Sequence, residues 1–445
     1  MNWNQFKNGK GQCLYQEAKK IIPGGTQLLS KRPEMFLPDI WPSYYSKAKG
    51  CKIWDLDGNE FIDVSYMGIG ANVLGYAFDE VDDAAKDAIA SGGMCTLNAP
   101  DEVYLAYKLL ELHPWAGGVR YAKTGGEAMA LAARIARAYT KKDIILFCGY
   151  HGWHDWYLSA NISNKNALND QHIAGLEPLG VPMGLAGTNL PFHYNNINEF
   201  YDLMEKHKGK IAAVIMEPIR NDYPSDNFLH VIREKTKKEH VVLVFDEITA
   251  GFRLCNGGSH KILNVEPDLA VFAKGMTNGY PLSAIIGIKE VMEAAQGTFI
   301  SSTFFTERVA IAATLKNIEL YEKYKVWEKQ VAYGEMVQDG WNEKARQYGL
   351  EIQIGGIKPL SHFTIIGNED SMVYKTFFIQ EMLKRGYIAS NAFYTSYAHS
   401  PEIIDDYLEN VGQVFQKIAE INHEGKKVEQ YLESSVCHSG FGRLN

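Results

Sequence analysis

The sequence predicts an α/β fold whose mainly parallel central sheet is flanked by helices, together with a smaller α+β domain. Short apolar runs rich in β-branched residues, such as Val241–Phe245 and Leu269–Ala273, are typical of strands buried in a parallel sheet. Between residues 119 and 287 such runs alternate with helical patterns. This succession is the one that a parallel sheet with crossover helices requires.

The composition is ordinary for a globular protein. The 445 residues are 46% hydrophobic and 22% charged, and the net charge of -8 argues against non-specific nucleic-acid binding. No apolar run reaches the roughly 18 residues of a membrane span, and the N-terminus lacks the apolar segment of a signal peptide. None of the six cysteines is spaced as CxxC, which predicts free thiols in the cytoplasm.

The first 65 residues are expected to contribute to the small domain and to an arm that lies over the active site or simply on the surface. A polar helix is predicted over Gln12–Ile22, and an irregular proline-rich stretch follows it. Two alternating runs flank Asp57-Gly58, which predicts a hairpin over residues 51–64. We expect a large domain over residues 66–308 and the rest of the small domain over 309–445.

The segment that follows the strand at residues 119–124 has two compatible interpretations. Thr124 and Glu127 have the spacing of a capping box at the start of a helix. Gly125 and Gly126 would also let a phosphate group approach the backbone N–H groups at that helix N-terminus.

Two further strands end in side chains with functional potential. Ile144–Cys148 leads to Tyr150, an aromatic side chain that could stack on a planar ring. His151, His154 and Asp155 follow, but no further cluster completes a metal ligand set, so no metal is predicted. The strand Ile211–Met216 ends in Glu217, which we include among the cofactor-binding residues.

An acid and an amine end two neighbouring strands. Asp246 follows the run Val241–Phe245, and Lys274 follows Leu269–Ala273. Ligands of open α/β sheets bind beyond the carboxyl ends of the strands. A lysine that forms a Schiff base and a carboxylate that keeps a pyridine nitrogen protonated are what pyridoxal 5'-phosphate chemistry needs.

The region after residue 308 is more helical. A long helix is predicted from Val309 to about Gly349, with a break near Tyr333-Gly334. Strands and helices then mix over residues 350–421, as expected for an α+β domain. The last twenty or so residues are a polar tail without an assigned role.

Several motifs together resemble the class III aminotransferases, which are fold-type I pyridoxal phosphate enzymes, and within them the glutamate-1-semialdehyde aminomutase-like branch. The resemblance rests on VFDEITAGFR and PDLAVFAKGMTNGYPLSAIIG, and it extends over most of the chain. The other matching segments are PGG at 23–25, WDLDGNEFIDV at 54–64, TGGEAMALAARIARAYT at 124–140, YHG at 150–152, SST at 301–303 and YAHS at 397–400.

The resemblance implies a role for each candidate residue. Lys274 would carry the cofactor and Asp246 would pair with its ring nitrogen, while Tyr150 and Ile248 would pack on the two ring faces. The loop Thr124-Gly125-Gly126 would bind the phosphate. Thr303 would reach the phosphate of a neighbouring subunit, which implies a homodimer with shared active sites.

The sequence departs from the family pattern on the substrate side. The phosphate loop reads Thr-Gly-Gly where the family usually has Ser-Gly-Thr, so one hydroxyl is lost. Asn391 stands where the aminomutase branch has a glutamate, and Arg220-Asn221-Asp222-Tyr223 replaces its Gly and Asn. These departures argue against the glutamate-1-semialdehyde reaction and leave the cofactor chemistry intact.

The predicted function is an aminotransferase that moves an amino group between a small-molecule donor and an aldehyde or ketone acceptor through pyridoxamine phosphate. The alternatives are an intramolecular aminomutase, a racemase or epimerase, and a catalytically silent homologue that acts as a binding subunit. Arg220 and Arg32 are candidates for holding an anionic substrate group, although each could be an ordinary surface arginine.

Overall fold

A computed structural model describes residues 3–225 and 227–442. The strands are β1 (Tyr45–Lys49), β2 (Lys52–Asp55), β3 (Glu60–Asp63), β4 (Gly118–Ala122), β5 (Ile144–Cys148), β6 (Asn189–Pro191), β7 (Ile211–Met216), β8 (Val242–Asp246), β9 (Leu269–Phe272), β10 (Ser283–Gly287), β11 (Glu351–Gly355), β12 (Leu360–Ile366), β13 (Tyr387–Ile388) and β14 (Ala392–Tyr394).

The α-helices are α1 (Trp3–Phe6), α2 (Lys10–Ile21), α3 (Met67–Gly70), α4 (Asp79–Ala90), α5 (Asp101–Leu112), α6 (Gly125–Thr140), α7 (Asp155–Leu158), α8 (Ala160–Ser163), α9 (Ile197–Lys206), α10 (Phe228–Lys238), α11 (His260–Leu263), α12 (Lys289–Glu293), α13 (Arg308–Lys323), α14 (Val326–Gln347), α15 (Ser371–Lys384) and α16 (Pro401–His423). No helix in the described part of the chain combines the length and the apolar character needed to cross a bilayer.

The chain forms two compact units. The continuous unit is Asp79–Trp327, and the discontinuous unit combines the residues up to Phe78 with those from Glu328 onward. The boundaries predicted from the sequence follow residues 65 and 308, whereas the units change after Phe78 and Trp327. The helix α13 belongs to the continuous unit because it packs against α4 and α5.

The continuous unit is built on a seven-stranded sheet of order β4-β10-β9-β8-β7-β5-β6. Only β10 runs antiparallel to its neighbours, β4 and β9. The predicted mainly parallel sheet is confirmed. Because β4, β9, β8, β7 and β5 all run in one direction, their carboxyl ends meet at one edge of the sheet.

Strand β8 shows why the sheet is buried on both faces. All five of its residues are buried. Val242 and Val244 pack with alanines of α6, whereas Leu243 and Phe245 pack with residues of α9 and α10. Successive side chains of a strand point to opposite faces, so a continuous apolar run is what a doubly covered strand requires.

The discontinuous unit contains two small sheets, of order β1-β2-β3-β13 and β11-β12-β14. The hairpin predicted around Asp57-Gly58 is confirmed as the antiparallel pair β2 and β3. The core between α14, α15, α16 and β12 is rich in aromatic side chains, among them Trp341, Phe363, Phe378, Tyr407 and Phe415.

The predicted break at Tyr333-Gly334 is wrong. The chain leaves the helical path at Tyr324-Lys325, between α13 and α14, and Lys325 has a φ of +47°. Gly334 lies inside α14, where a Cβ would stand 1.8 Å from the carbonyl oxygen of Lys358. Its glycine therefore permits close backbone packing and does not end the helix. The short edge strand β6, in a region predicted to be loop, was also not foreseen.

Candidate active site

Asp246 and Lys274 stand at the ends of two adjacent parallel strands. Asp246 is the last residue of β8 and pairs in register with Val271 of β9, three residues before Lys274. Lys274 has a φ of +45°, in the left-handed region that residues with a side chain seldom adopt. Backbone strain of this kind is held in place by surrounding structure and concentrates at functional sites.

The environment of Lys274 favours the neutral form of its amine more than that of an ordinary lysine. Nζ donates a hydrogen bond to Oγ1 of Thr249 at 3.0 Å. Burial of the amine, and secondly the positive charge of Arg220, lower the pKa of Lys274 to about 8. A substantial fraction of the amine is therefore neutral near physiological pH. Thr249 was not among the predicted residues.

Asp246 is buried, with 3% of its surface exposed, and both of its oxygens are engaged. Oδ2 lies 2.8 Å from Nδ1 of His151, and Oδ1 accepts from the backbone N–H of Ile248 at 3.0 Å. The other ring nitrogen of His151 is 3.2 Å from the carbonyl oxygen of Cys148. His151 thus ties the carboxylate to the end of β5 and fixes its orientation.

His151 was considered in the sequence only as a metal ligand. The structure instead turns it toward Asp246, and it brings together no group of three or more His, Cys, Asp and Glu side chains suited to a metal within residues 3–225 and 227–442. The sequence did contain a signal for this role, because His151 directly follows Tyr150 in the loop after β5. A loop that follows one strand can face the same site as the residues at the ends of the neighbouring strands.

The loop before α6 forms the predicted capping box. Oγ1 of Thr124 accepts from the backbone N–H of Glu127 at 3.3 Å, and the Glu127 carboxylate accepts from the N–H of Thr124 at 3.4 Å. A Cβ at Gly125 would stand 2.8 Å from Cδ1 of Ile248. The glycine therefore lets the Ile248 side chain lie against the helix start, where backbone N–H groups lack intrahelical partners.

Glu217, Tyr150 and Arg220 meet beyond β5 and β7. Oε2 of Glu217 accepts from the backbone N–H of Tyr150 at 3.2 Å, and Oε1 is 2.9 Å from Nη1 of Arg220. Nη2 of Arg220 lies 2.8 Å from Nε2 of His172. Glu217 and Arg220 border a polar cavity, which is also lined by Cys148, Gly149, Asp170, Gln171, His193, Tyr194, Asn221 and Asp222.

Three residues singled out in the sequence make other contacts or none of those described above. Thr303 begins an exposed single turn at residues 303–306 of the continuous unit. Arg32 belongs to the discontinuous unit, where Nη1 donates to the carbonyl oxygen of Gly442 at 2.9 Å. Asn391 is in the same unit and donates to the carbonyl oxygen of Phe363 at 3.0 Å.

The side chains of the continuous unit suit a flat, anionic, pyridine-containing aldehyde. Lys274 offers a buried amine with a lowered pKa, and Asp246 offers an oriented carboxylate. Gly125 and Gly126 begin α6, where backbone N–H groups without intrahelical partners can bind a phosphate. The arrangement therefore fits a cofactor that is held by an imine, an ion pair and a helix N-terminus.

Sequence comparisons identify relatives along nearly the whole chain. The family model "Aminotransferase class-III" matches residues 39–406. A 3-aminobutyryl-CoA aminotransferase of Cloacimonas acidaminovorans is 31% identical over 429 residues, covering 94% of this chain and 98% of that enzyme. A glutamate-1-semialdehyde 2,1-aminomutase of Thermodesulfovibrio yellowstonii is 30% identical over 437 residues, covering 93% of this chain and 100% of that enzyme.

Solved structures share the fold. The FumI protein of Sphingopyxis sp. MTA144, in its PLP internal aldimine form, superposes with a TM-score of 0.84 at 25% identity, covering 95% of this chain and 100% of that chain. An omega-transaminase from Sphaerobacter thermophilus gives a TM-score of 0.83 at 24% identity over 94% of this chain and 100% of that chain. With the family model spanning most of its length, this chain belongs to the class III aminotransferase family.

Proposed function

We propose that this class III enzyme transfers an amino group from a small amino donor to an aldehyde or ketone acceptor with pyridoxal 5'-phosphate carried on Lys274. The observation that carries the proposal is the buried amine of Lys274 beside the oriented carboxylate of Asp246, at the ends of adjacent parallel strands.

The positions of the candidate residues suggest how each would hold the cofactor. Asp246 would pair with the pyridine nitrogen, and Tyr150 and Ile248 would cover the ring faces. Thr124, Gly125 and Gly126 would bind the phosphate, while Glu217 borders the site on the side of β7. When bound, pyridoxal phosphate supplies an aldehyde that takes up the amino nitrogen and a ring that accepts electrons.

Side chains of the protein would transfer the proton and hold the reacting groups in a fixed orientation. With a pKa of about 8, Nζ of Lys274 can take a proton from a substrate carbon and return it at neutral pH. His151 and the backbone N–H of Ile248 hold Asp246 in one orientation, so its charge does not have to reorganise during the reaction. Burial of these groups keeps water from the reacting atoms.

Incubation with donors alone tests this proposal. Purified protein loaded with pyridoxal phosphate is mixed with a panel of α- and β-amino donors, without any acceptor. β-Amino compounds are included because one relative is named for 3-aminobutyryl-CoA. We expect at least one donor to convert the visible spectrum of the bound cofactor into that of pyridoxamine phosphate, and conversion by none of them would contradict transamination.

An intramolecular aminomutase is the second candidate, because enzymes named glutamate-1-semialdehyde aminomutase match this chain at 30 to 32% identity. The two functions differ in the fate of the amino nitrogen. A transaminase given a ¹⁵N-labelled donor passes the label to a separate acceptor, whereas an aminomutase converts its substrate into an isomer and leaves a separate acceptor unlabelled. We expect the label on the separate acceptor.

We also propose a homodimer with shared active sites. Thr303 is exposed, and the apolar residues Phe299 and Phe304 near it in sequence are strongly exposed as well. Leu97, elsewhere in the continuous unit, is also strongly exposed. Apolar exposure of this extent is common at subunit interfaces. Light scattering should give twice the mass of the chain, and Thr303→Ala should weaken cofactor binding; a monomeric mass would contradict the proposal.

A cytoplasmic location is proposed from the cysteines. Cys13, Cys51, Cys95, Cys148, Cys255 and Cys437 are free thiols. Unpaired thiols are usual in a reducing compartment. Fractionation of the source cells should recover the protein with cytoplasmic markers.

A further inference from the structure

The single turn Lys274–Met276, which follows β9, holds its first residue in an unfavourable backbone conformation. The φ of Lys274 is +45°, in the left-handed region. A residue with a side chain keeps such a conformation only where contacts from the surrounding structure hold it there. The direction of the Lys274 side chain, and with it the place of its amine, therefore depends on what holds the backbone of this turn.

Asn317 of α13 supplies contacts of this kind. Its Nδ2 donates to the carbonyl oxygen of Met276 at 2.7 Å and to that of Gly275 at 3.1 Å. A side-chain amide nitrogen carries two hydrogens, so one Asn can serve both carbonyls. The carbonyl oxygen of Lys274 itself accepts from the backbone N–H of Thr277 at 2.9 Å. Three successive carbonyl groups of the turn are thus held, two of them by a residue from a distant part of the sequence.

The position of Asn317 is otherwise one for an apolar side chain. Asn317 is fully buried, at 0% exposure, and so are Ala313 and Ile318 of the same helix. Its Oδ1 is buried too, and it has no hydrogen-bond partner in the described part of the chain. Burial of an amide costs free energy that only its hydrogen bonds offset. The two bonds from Nδ2 to the turn after Lys274 are therefore what this polar residue contributes.

We propose that Asn317 is a positioning residue for Lys274, which holds the left-handed turn so that the amine stands where it can attack the aldehyde of the cofactor. This inference rests on the proposed function. In the attack Nζ bonds to the aldehyde carbon and water leaves, so the rate depends on where Nζ stands. Thr249 holds the amine end of the side chain, with Oγ1 at 3.0 Å from Nζ. Asn317 holds the backbone end, through the carbonyl groups of residues 275 and 276.

The test compares covalent attachment with non-covalent binding in the full-length apoprotein. Asn317→Leu and Asn317→Ala both remove the donor, and they leave different volumes. Thr314→Val is the matched control, because Thr314 is also buried in α13 and its hydroxyl donates within the helix, to the carbonyl oxygen of Ala310.

Three quantities are measured for each protein. The visible spectrum gives the rate at which pyridoxal phosphate attaches to Lys274, as a function of pH. Calorimetry gives the affinity for pyridoxamine phosphate, which has no aldehyde and binds without a bond to the lysine. The midpoint of thermal unfolding reports on folding.

We expect both Asn317 variants to slow attachment about tenfold or more at every pH, the scale set by the loss of one or two hydrogen bonds. The midpoint of the pH profile should stay near the Lys274 pKa of about 8, because Asn317 carries no charge. The affinity for pyridoxamine phosphate should change less than about threefold, since this probe does not use the amine. Thr314→Val should attach pyridoxal phosphate as fast as the unmodified protein does.

Several outcomes would overturn the inference. Attachment at the original rate in a folded Asn317 variant shows that the turn holds Lys274 without the amide. Equal losses of attachment rate and of pyridoxamine phosphate affinity, or loss of cooperative unfolding in both variants, would leave Asn317 a structural role only. Equal slowing in Thr314→Val would assign the effect to the packing of α13. Each of these leaves the proposed function standing, whereas an unmodified protein that takes up no pyridoxal phosphate would contradict the proposed function together with this inference.

Discussion

Lys274 illustrates how several modest effects act on one side chain. Its backbone is held in the left-handed region, its amine is buried, and Arg220 adds a nearby positive charge. Glu217 and Asp246 act in the opposite direction and limit the fall of the pKa. The result is an amine that can exchange protons near neutral pH.

Replacement of this amine is the most direct test at the residue scale. Lys274→Ala should abolish covalent attachment of pyridoxal phosphate and lower turnover at least about 10³-fold, because both the nucleophile and the proton carrier are lost. Mass spectrometry after borohydride reduction measures attachment, and a coupled assay measures turnover. Lys206→Ala, at the exposed end of α9, is the control. Reduction that still labels the Lys274→Ala protein would contradict the assignment.

The pH dependence of cofactor attachment tests the role of Arg220. Only the neutral amine attacks the aldehyde, so the initial rate at which apoprotein forms its adduct should rise with pH around the pKa of about 8. Arg220→Gln removes a charge that lowers this pKa, and it leaves Glu217, which raises it. The rate profile should therefore shift to higher pH. Arg346→Gln, at an exposed position in α14, should leave it unchanged; an unshifted profile in Arg220→Gln would count against the electrostatic effect.

At the scale of elements, α14 shows how a glycine can be misinterpreted from sequence. Gly334 and Gly340 both lie inside this helix, although glycine lowers helix stability by about 1 kcal/mol relative to alanine. The two differ in what surrounds them. A Cβ at Gly334 would meet the backbone oxygen of Lys358 at 1.8 Å, whereas one at Gly340 would meet the end of the Leu408 side chain at 2.3 Å.

This difference predicts that alanine is tolerated less well at position 334 than at position 340. Gly334→Ala should lower the free energy of unfolding by about 1–3 kcal/mol, because the backbone at residue 358 has to move. Gly340→Ala should change it by less than about 1 kcal/mol, since Leu408 can rotate and the gain in helix propensity offsets part of the cost. Urea denaturation followed by circular dichroism measures both. Equal stability of the two variants would show that the backbone contact does not constrain the fold.

At the scale of the whole molecule, the continuous unit is inserted in the chain between the two segments that form the discontinuous unit. In the discontinuous unit, β13 pairs in parallel with β3, so Tyr387 lies opposite Ile62. Ile379 and Leu383 of α15 share a core cluster with Phe6, Phe36 and Phe61 from the first segment. Residues before Phe78 and after Glu328 therefore complete each other's core.

Fragments of the chain should reflect this arrangement. Residues 328–445 alone should lack cooperative unfolding, because their part of the core and the partner strand of β13 are missing, and addition of residues 1–78 should restore it. Residues 79–327 hold a complete sheet and should unfold cooperatively by themselves. Thermal circular dichroism of the fragments, separately and mixed, measures this. A cooperative transition in 328–445 alone would contradict the expectation.

Local patterns were sufficient for the strands that carry the acid–amine pair and for the capping box. The apolar runs that end in Asp246 and Lys274 predict buried strands, and the capping box at Thr124 depends on residues only three positions apart. Such features are visible in the sequence because they depend on the pattern of neighbouring residues. The family resemblance, which rests on the same segments, is confirmed by the comparisons.

Only the tertiary structure decided which distant residues meet. It set His151 against Asp246, Thr249 against Lys274, and Asn317 against the turn after Lys274, and it moved the helix break from Gly334 to Lys325. These contacts depend on strand order and on the space left by other side chains, which no short segment encodes. The sequence by itself therefore determined the fold class and the acid–amine pair, while packing determined the partners that tune them.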